Sequence, residues 1–340
     1  MNARVGVPAA DPAIVRRDSA SLPPCLIVNP LSFRASRGLA QQASALALAR
    51  GAEIVSIDSP AALAAAVQTI LARRQRKVMM LAGDGTVRAV VDQLAGLPPG
   101  AWIPDLLVLP GGRTNLIATD LTPGEGALDL LRRVLDGGAT QRWDLSVQER
   151  HTLCIEQAGA PARHGFWLGA ALIDGVIRRT HEHRASGRSA LHTGPLSTVA
   201  ALLVLAHGAL RGRSGLSAPT LHVNAGAAGL TIDGPVSLLL ATTLQHRRGL
   251  FDPYASRAAN DMRLTAVARH APRFWRSLPR LLTGRFSPDM DPAHGYISGS
   301  FERVEVTGLG GYSLDGEAYE VDPRTPLTIR RGARLRLFTA

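Results

Sequence analysis

The chain is poor in aromatic residues (4%), almost without lysine, and has two cysteines in 340 residues. Each scarcity excludes something. Cys25 and Cys154 are too few and too far apart for a disulfide framework, and no Cys/His cluster has zinc-site spacing. Both read as buried thiols in a reducing compartment. The sparse aromatics are not interleaved with arginine as in single-strand nucleic-acid readers, which argues against a nucleic-acid partner. The N-terminus lacks the apolar stretch of a signal peptide. The longest apolar run, Thr198 to Ala206, falls well short of the ~20 residues that span a bilayer. The expectation is a cytoplasmic protein, soluble or peripheral to a membrane.

What is present is apolar mass and positive charge. Nearly half the residues are hydrophobic, and the formal net charge is +11. The length suits two domains. The charge favours an anionic partner, either nucleotide phosphates or an anionic membrane surface, although solvated arginine on helix faces explains it equally well.

Residues 1–22 show no sustained period and read as a disordered leader. From Cys25 to about residue 140, apolar runs alternate with helical stretches. "CLIVN" ends at Asn29-Pro30, "EIVSI" covers 53–57, Lys77 to Leu81 forms a buried run, and "LLVLP" covers 106–110. Ser59-Pro60 is a cap followed by proline at the first helical position. The pattern predicts a doubly wound parallel sheet, with ligands at the C-terminal ends of its strands. Three loops fall at such ends: Asn29-Pro30, Gly83-Asp84-Gly85-Thr86 and Gly112-Arg113-Thr114-Asn115. The glycines let backbone turn tightly and approach a ligand, and the following helix, Thr86 to about Leu94 with Thr86 as its N-cap, offers N–H groups to an anion. In "GGRTNL", Thr114 or Asn115 serves as a helix cap, as a ligand contact, or as both.

After residue 140 the texture changes to short alternating runs. "QRWDLSV" (141–147), "TLCIEQ" (152–157), "HGFWLG" (164–169), "TLHVN", "GLTID" and "VSLLLATT" (236–243) read as strands. Two helical stretches, about 170–184 and 195–211, interrupt them. The second domain, 141–340, is therefore β-rich and sandwich-like with inserted helices, and its last strands have the option of returning to the first domain. His181, His183 and His192 read as a solvated basic loop rather than a metal site. Asp261 reads as a turn residue. The stretch 272–285 is amphipathic and basic, suiting a membrane interface or, the favoured reading, a surface helix packed on its own domain. Asp315-Gly316 is a hairpin signal that can also hold a carboxylate rigidly at a cleft.

Taken in order, "IVNP" at 27–30, "AGDGT" at 82–86, "PGGRTN" at 110–115 and "DGE" at 315–317 resemble the diacylglycerol kinase catalytic-domain family, which includes bacterial lipid kinases and sphingosine kinases. The resemblance implies an α/β nucleotide-binding domain followed by a β-sandwich domain, with the site between them. It implies transfer of the γ-phosphate of ATP, with Mg²⁺, to a lipid hydroxyl at a membrane surface. Asn29, Pro30, Gly83, Asp84, Gly85, Thr86, Gly112, Arg113, Thr114 and Asn115 would then hold the nucleotide. Asp315 would be the general base with Glu317 beside it, and Asp84 the rival base. Several positions depart from the family pattern: Ala82 for glycine, Arg88 for Asn or His, Leu116 for Asp, and Met262 and Thr265 in "DMRLT". The alternative reading is a catalytically inactive lipid- or nucleotide-binding protein on the same fold. The acceptor lipid and the oligomeric state, a homodimer included, stay open.

Overall fold

The structure is a computed structural model that describes residues 22–32, 38–136, 143–171, 218–226, 229–245, 251–256 and 261–340. The expected leader, the 195–211 helix, most of the 170–184 helix, Thr198–Ala206, and His181, His183 and His192 lie outside these residues.

Four parallel strands open the fold: β1 (Cys25–Val28), β2 (Glu53–Ser56), β3 (Lys77–Ala82) and β4 (Asp105–Pro110), in the order β2-β1-β3-β4. Successive strand residues point to opposite faces, and both faces are covered. Ile27, Val78 and Met80 meet Leu63, Val67, Val87 and Val91 from α2 (Pro60–Ala72) and α3 (Asp84–Ala95). Leu26, Met79 and Leu81 meet Ala43, Ala47, Leu130 and Val134 from α1 (Leu39–Ala49) and α5 (Ala127–Leu135). This is the expected doubly wound arrangement. The chain reverses its winding direction between β1 and β3, where ligands bind in such sheets. Ser59 caps α2 as its sequence signals, its side chain accepting the Ala62 N–H at 3.2 Å.

The remaining strands form a sandwich. β5 (Ser146–Gln157) is one continuous strand where the sequence suggests two, and it runs antiparallel to β15 (Leu327–Thr339). β15 also pairs with β12 (Arg303–Thr307) and, in parallel, with β4 of the first sheet. β12 pairs with β8 (Thr220–Asn224), and β8 with β9 (Thr231–Thr242). β9 again replaces two expected strands by one. Its first half pairs with β8. Its second half pairs with β7 (Trp167–Ala171) and β10 (Met262–Ala268) in the other layer. Gly234, at φ 122°, sits where the strand passes between layers. β10 carries β11 (Tyr296–Phe301), and β7 carries the hairpin of β13 (Gly311–Leu314) and β14 (Glu317–Glu320). Leu153, Val223, Val304 and Ile329 from one layer pack on Leu168, Leu239, Leu264 and Tyr312 from the other.

The basic amphipathic stretch forms α6 (Phe274–Leu282). Its Phe274, Leu278 and Leu281 bury against Leu238, Leu240, Val267 and Tyr296, so its apolar side belongs to the protein core. Arg273, Arg276, Arg280 and Arg285 are exposed. Asp261 directly precedes β10 and faces Arg331 at 3.4 Å, as befits a turn residue. Cys25 and Cys154 are free and buried, and burial is the main reason both thiols are pushed up to about 11.

Candidate active site

Two glycine loops meet backbone to backbone. A Cβ placed on Gly112 would stand 2.6 Å from the Gly83 Cα, and one on Gly111 would stand 2.7 Å from the Ala82 nitrogen. No side chain fits there, so the loops enclose a cradle with backbone walls. Ala82 itself is buried at the end of β3.

Side chains fix the cradle. Asn29 Nδ2 donates to Thr86 Oγ1 at 2.8 Å, and its Oδ1 accepts the Leu31 N–H at 2.9 Å across Pro30. The Gly83 N–H donates to Ser32 Oγ at 3.0 Å. The Gly112 N–H donates to Asn115 Oδ1 at 2.7 Å. Asp84 Oδ1 accepts the Ile117 N–H at 3.3 Å, tying the first loop to the start of α4 (Leu116–Leu121).

One expected cap moves and the other holds its place without its side-chain bond. α3 begins at Asp84 with Gly83 as its N-cap, and the Thr86 hydroxyl is engaged by Asn29 instead. Asn115 does occupy the N-cap position of α4, but in the left-handed conformation (φ 51°), with its side chain turned back to Gly112. Asp84 takes over the capping of that helix. Leu116, its first residue, brings no polar side chain to the loop. Arg113 and Thr114 are exposed at the loop rim.

The opposite wall comes from the sandwich. Asp315 and Gly316 both have positive φ, 49° and 92°, and form the tight turn between β13 and β14. The Asp315 carboxylate is buried. It accepts the Trp167 N–H at 2.9 Å and the Phe166 N–H at 3.0 Å. Those amides are available because the expected strand 164–169 breaks at Phe166 into β6 (Arg163–Gly165) and β7. A Cβ on Gly165 would stand 2.5 Å from Asp315 Oδ2, so glycine is what lets the carboxylate in. Burial pushes the Asp315 carboxyl up to about 7, assisted by the negative charge of Asp84, while the two amides and Arg88 oppose the rise.

Glu317 lies two residues further, as the first residue of β14. Its Oε2 accepts from Arg88 Nη2 at 2.5 Å and from the Tyr319 hydroxyl at 3.0 Å. Gly85 allows this closeness, since a Cβ there would stand 2.7 Å from Glu317 Oε1. The structure thus gathers Asn29, Gly83–Thr86, Gly112, Asn115, Asp315 and Glu317 around one cleft. It adds Ser32, Arg88, Gly165 and the Phe166 and Trp167 amides. Of these, only Arg88 drew attention in the sequence. A strand break has no composition signature, and Gly165 before two aromatics was its nearest sign.

Among the described residues no three His, Cys, Asp or Glu side chains come together as a metal site. Met262 and Thr265, at the altered acidic pattern, are both buried, and the Thr265 hydroxyl bonds to the Pro253 carbonyl and Ser298. A cavity of about 420 Å³ between Arg133, Trp143, Leu145 and Thr339 includes none of the loop or hairpin residues above.

The diacylglycerol kinase catalytic domain family matches residues 23–146. A comparison with curated proteins gives no match. Among solved structures, the chain is similar to a candidate diacylglycerol kinase from Bacillus anthracis str. Sterne. They share 12% identity with a TM-score of 0.65, over 94% of this chain and 95% of the other. A second structure, of a diacylglycerol kinase from the same organism, gives 12% identity and a TM-score of 0.58 over 94% and 97%. At that identity the likeness concerns the fold, and it extends through both layers of the sandwich. Residues 23–146 thus match the diacylglycerol kinase catalytic domain family, and the chain as a whole shares its fold with these solved structures.

Proposed function

We propose that the protein is an ATP-dependent lipid kinase that phosphorylates a lipid hydroxyl at an anionic membrane surface. The observation that carries this reading is Asp315, a buried carboxylate facing a backbone-walled phosphate cradle and pushed up to about 7. A general base works best with a pKa near the operating pH.

The cradle fits a triphosphate. Its walls are glycine backbone, and the first turn of α3 presents amides to an anion. Asn29, Ser32, Thr86 and Asn115 hold the two loops in shape. ATP, as substrate, supplies the phosphoryl group. Asp315 accepts the proton of the lipid hydroxyl as the hydroxyl oxygen bonds to phosphorus, and the bond to the leaving diphosphate oxygen breaks. Phosphoryl transfer asks the protein mainly for positioning and charge neutralisation. Mg²⁺ suits a site without a protein cage, because it is commonly held by one or two carboxylates together with substrate phosphates and water. Asp84 is committed to the Ile117 amide and caps α4. That favours Asp315 over Asp84 as base.

No described helix is long and apolar enough to cross a membrane. The exposed arginines of α6 suit adsorption to anionic lipid, each contributing about 1 kcal/mol near a charged surface. The test is incubation of the protein with labelled ATP, Mg²⁺ and mixed vesicles carrying diacylglycerol, monoacylglycerol or sphingoid bases. Labelled lipid is expected from at least one. No labelled lipid from any of them, with ATP still bound, would point to the inactive binding protein instead.

A further inference from the structure

Arg88 lies one helical turn beyond Asp84 on α3 and has no part in the transfer as described so far. It is 7% exposed, yet among the described residues its one side-chain hydrogen bond is Nη2 to Glu317 at 2.5 Å. Nη1 stands 3.7 Å from Asp92 Oδ2, and Nε and Nη1 have no hydrogen-bond partner among the described residues. The guanidinium lies 5.4 Å from the centre of the Tyr319 ring, whose hydroxyl donates to the same Glu317 oxygen. A buried guanidinium with unsatisfied N–H groups is a poor device for stability alone.

Its position suggests another use. Asp92, four residues on and on the same helix face, accepts the His164 backbone N–H at 2.7 Å and faces the His164 ring Nδ1 at 3.2 Å. His164 stands two residues before Phe166, whose amide holds Asp315. One face of α3 therefore grips both segments that carry the carboxylate: the hairpin through Glu317, and β6 through His164. The same helix begins at the Gly83–Gly85 turn.

We propose that Arg88 is a positioning residue for the transfer: through Glu317 it locks the Asp315 turn against the glycine turn. In the same place its charge favours the Asp315 carboxylate over the acid. This rests on the kinase reading above. The groups facing Asp315 are few. Asp84 from α3 opposes its ionisation and Arg88 favours it. The Phe166 and Trp167 amides come from the β6–β7 break. Glu317 is engaged by Arg88 and Tyr319, Arg163 lies over the Tyr319 ring at 4.4 Å, and His164 is held by Asp92.

The test uses full-length Arg88→Gln and Arg88→Lys. Turnover and KM for ATP are measured from pH 5.5 to 8.5 with a lipid that the unaltered protein phosphorylates. Arg88→Gln is expected to lose about 10–100-fold in kcat with KM for ATP nearly unchanged. Its acid limb should move up by about one pH unit, because a positive neighbour has been removed. Arg88→Lys keeps the charge and should keep the limb. Unaltered kcat and limb in Arg88→Gln overturn the proposal. So does an equal loss in both variants with the limb unmoved, which is the mark of a purely structural role. A second measurement stands apart from turnover: infrared titration of the Asp315 carboxyl, isolated by difference against Asp315→Asn. The titration should move up in Arg88→Gln and stay in Arg88→Lys even if no lipid is phosphorylated. A titration that does not move overturns the proposal, whereas absent turnover alone overturns the kinase reading.

Discussion

Gly165→Ala is the sharpest probe of the site, because its one added methyl meets the carboxylate more closely than any other group. Gly165 does not have a positive φ, so alanine is free to adopt its backbone conformation. The effect is therefore steric. The new Cβ would stand 2.5 Å from Asp315 Oδ2 and 2.7 Å from Leu314 Cγ, against 3.4 Å for ordinary contact. The carboxylate must retreat by about 0.9 Å, and a misplacement of that size is enough to lower turnover by about 100-fold. Its bonds to Phe166 and Trp167, at 3.0 and 2.9 Å, must lengthen or re-aim with it. Overpacking of this kind destabilises by about 1–3 kcal/mol. Urea unfolding and lipid phosphorylation on one preparation separate the two effects. The expected result is a folded, ATP-binding protein with turnover near 1% of the original. Turnover within about threefold of the original would refute the reasoning, since a base cannot be moved that far without loss. Gly85→Ala is the contrast. Its Cβ would stand 2.7 Å from Glu317 Oε1 and reaches the base only through the Arg88–Glu317 contact, so the loss should be no larger than that of Arg88→Gln.

Further outcomes follow from the same geometry. Asp315→Asn should lower turnover by about 10²–10⁴-fold while leaving ATP binding intact, checked by isothermal calorimetry beside the kinase assay. The carboxyl of Asp315 is raised from 3.8 to about 7 chiefly by burial, so its favourable share of stability is complete below pH 3.8 and lost as pH rises through 7. Asp315→Asn lacks that loss, and its unfolding free energy should gain on the original by roughly 2–3 kcal/mol between pH 5 and 8; a constant difference would contradict the burial argument. Ser59→Ala removes the α2 cap and should lower stability by about 0.5–2 kcal/mol without touching turnover. Arg276→Glu with Arg280→Glu should weaken flotation with anionic vesicles, most visibly at low salt; undiminished flotation would remove α6 from the membrane reading.

The first domain is legible in the sequence because its signals are local. Four apolar runs alternate with helical stretches, and Ser59-Pro60 marks a helix start at the observed residue. The Asp315-Gly316 turn is equally local. The misreadings come where distant residues decide. Thr86 has the chemistry of a cap, but Asn29, 57 residues away, takes its hydroxyl. Asn115 stands at the cap position, but Gly112 takes its side chain. Residues 229–243 look like two strands because Gly234 and Pro235 interrupt the apolar pattern, yet the chain runs through them while changing layers. The break at Phe166 exists to present amides to Asp315, and that partner lies 149 residues on. Arg88 was visible only as a departure from a family pattern, and its meaning came from Glu317.

The parallel pairing of β15 with β4 has a consequence in time. Asp105 of β4 pairs with Arg336, 231 residues later in the chain. At synthesis rates of about 5–20 residues per second, β4 stands at the edge of its sheet for roughly ten to fifty seconds before its neighbour exists. Leu106, which pairs with Leu337, belongs to that edge, and an unpaired apolar edge is an invitation to pair with other chains. The growing chain therefore depends on whatever shields that edge until β15 arrives.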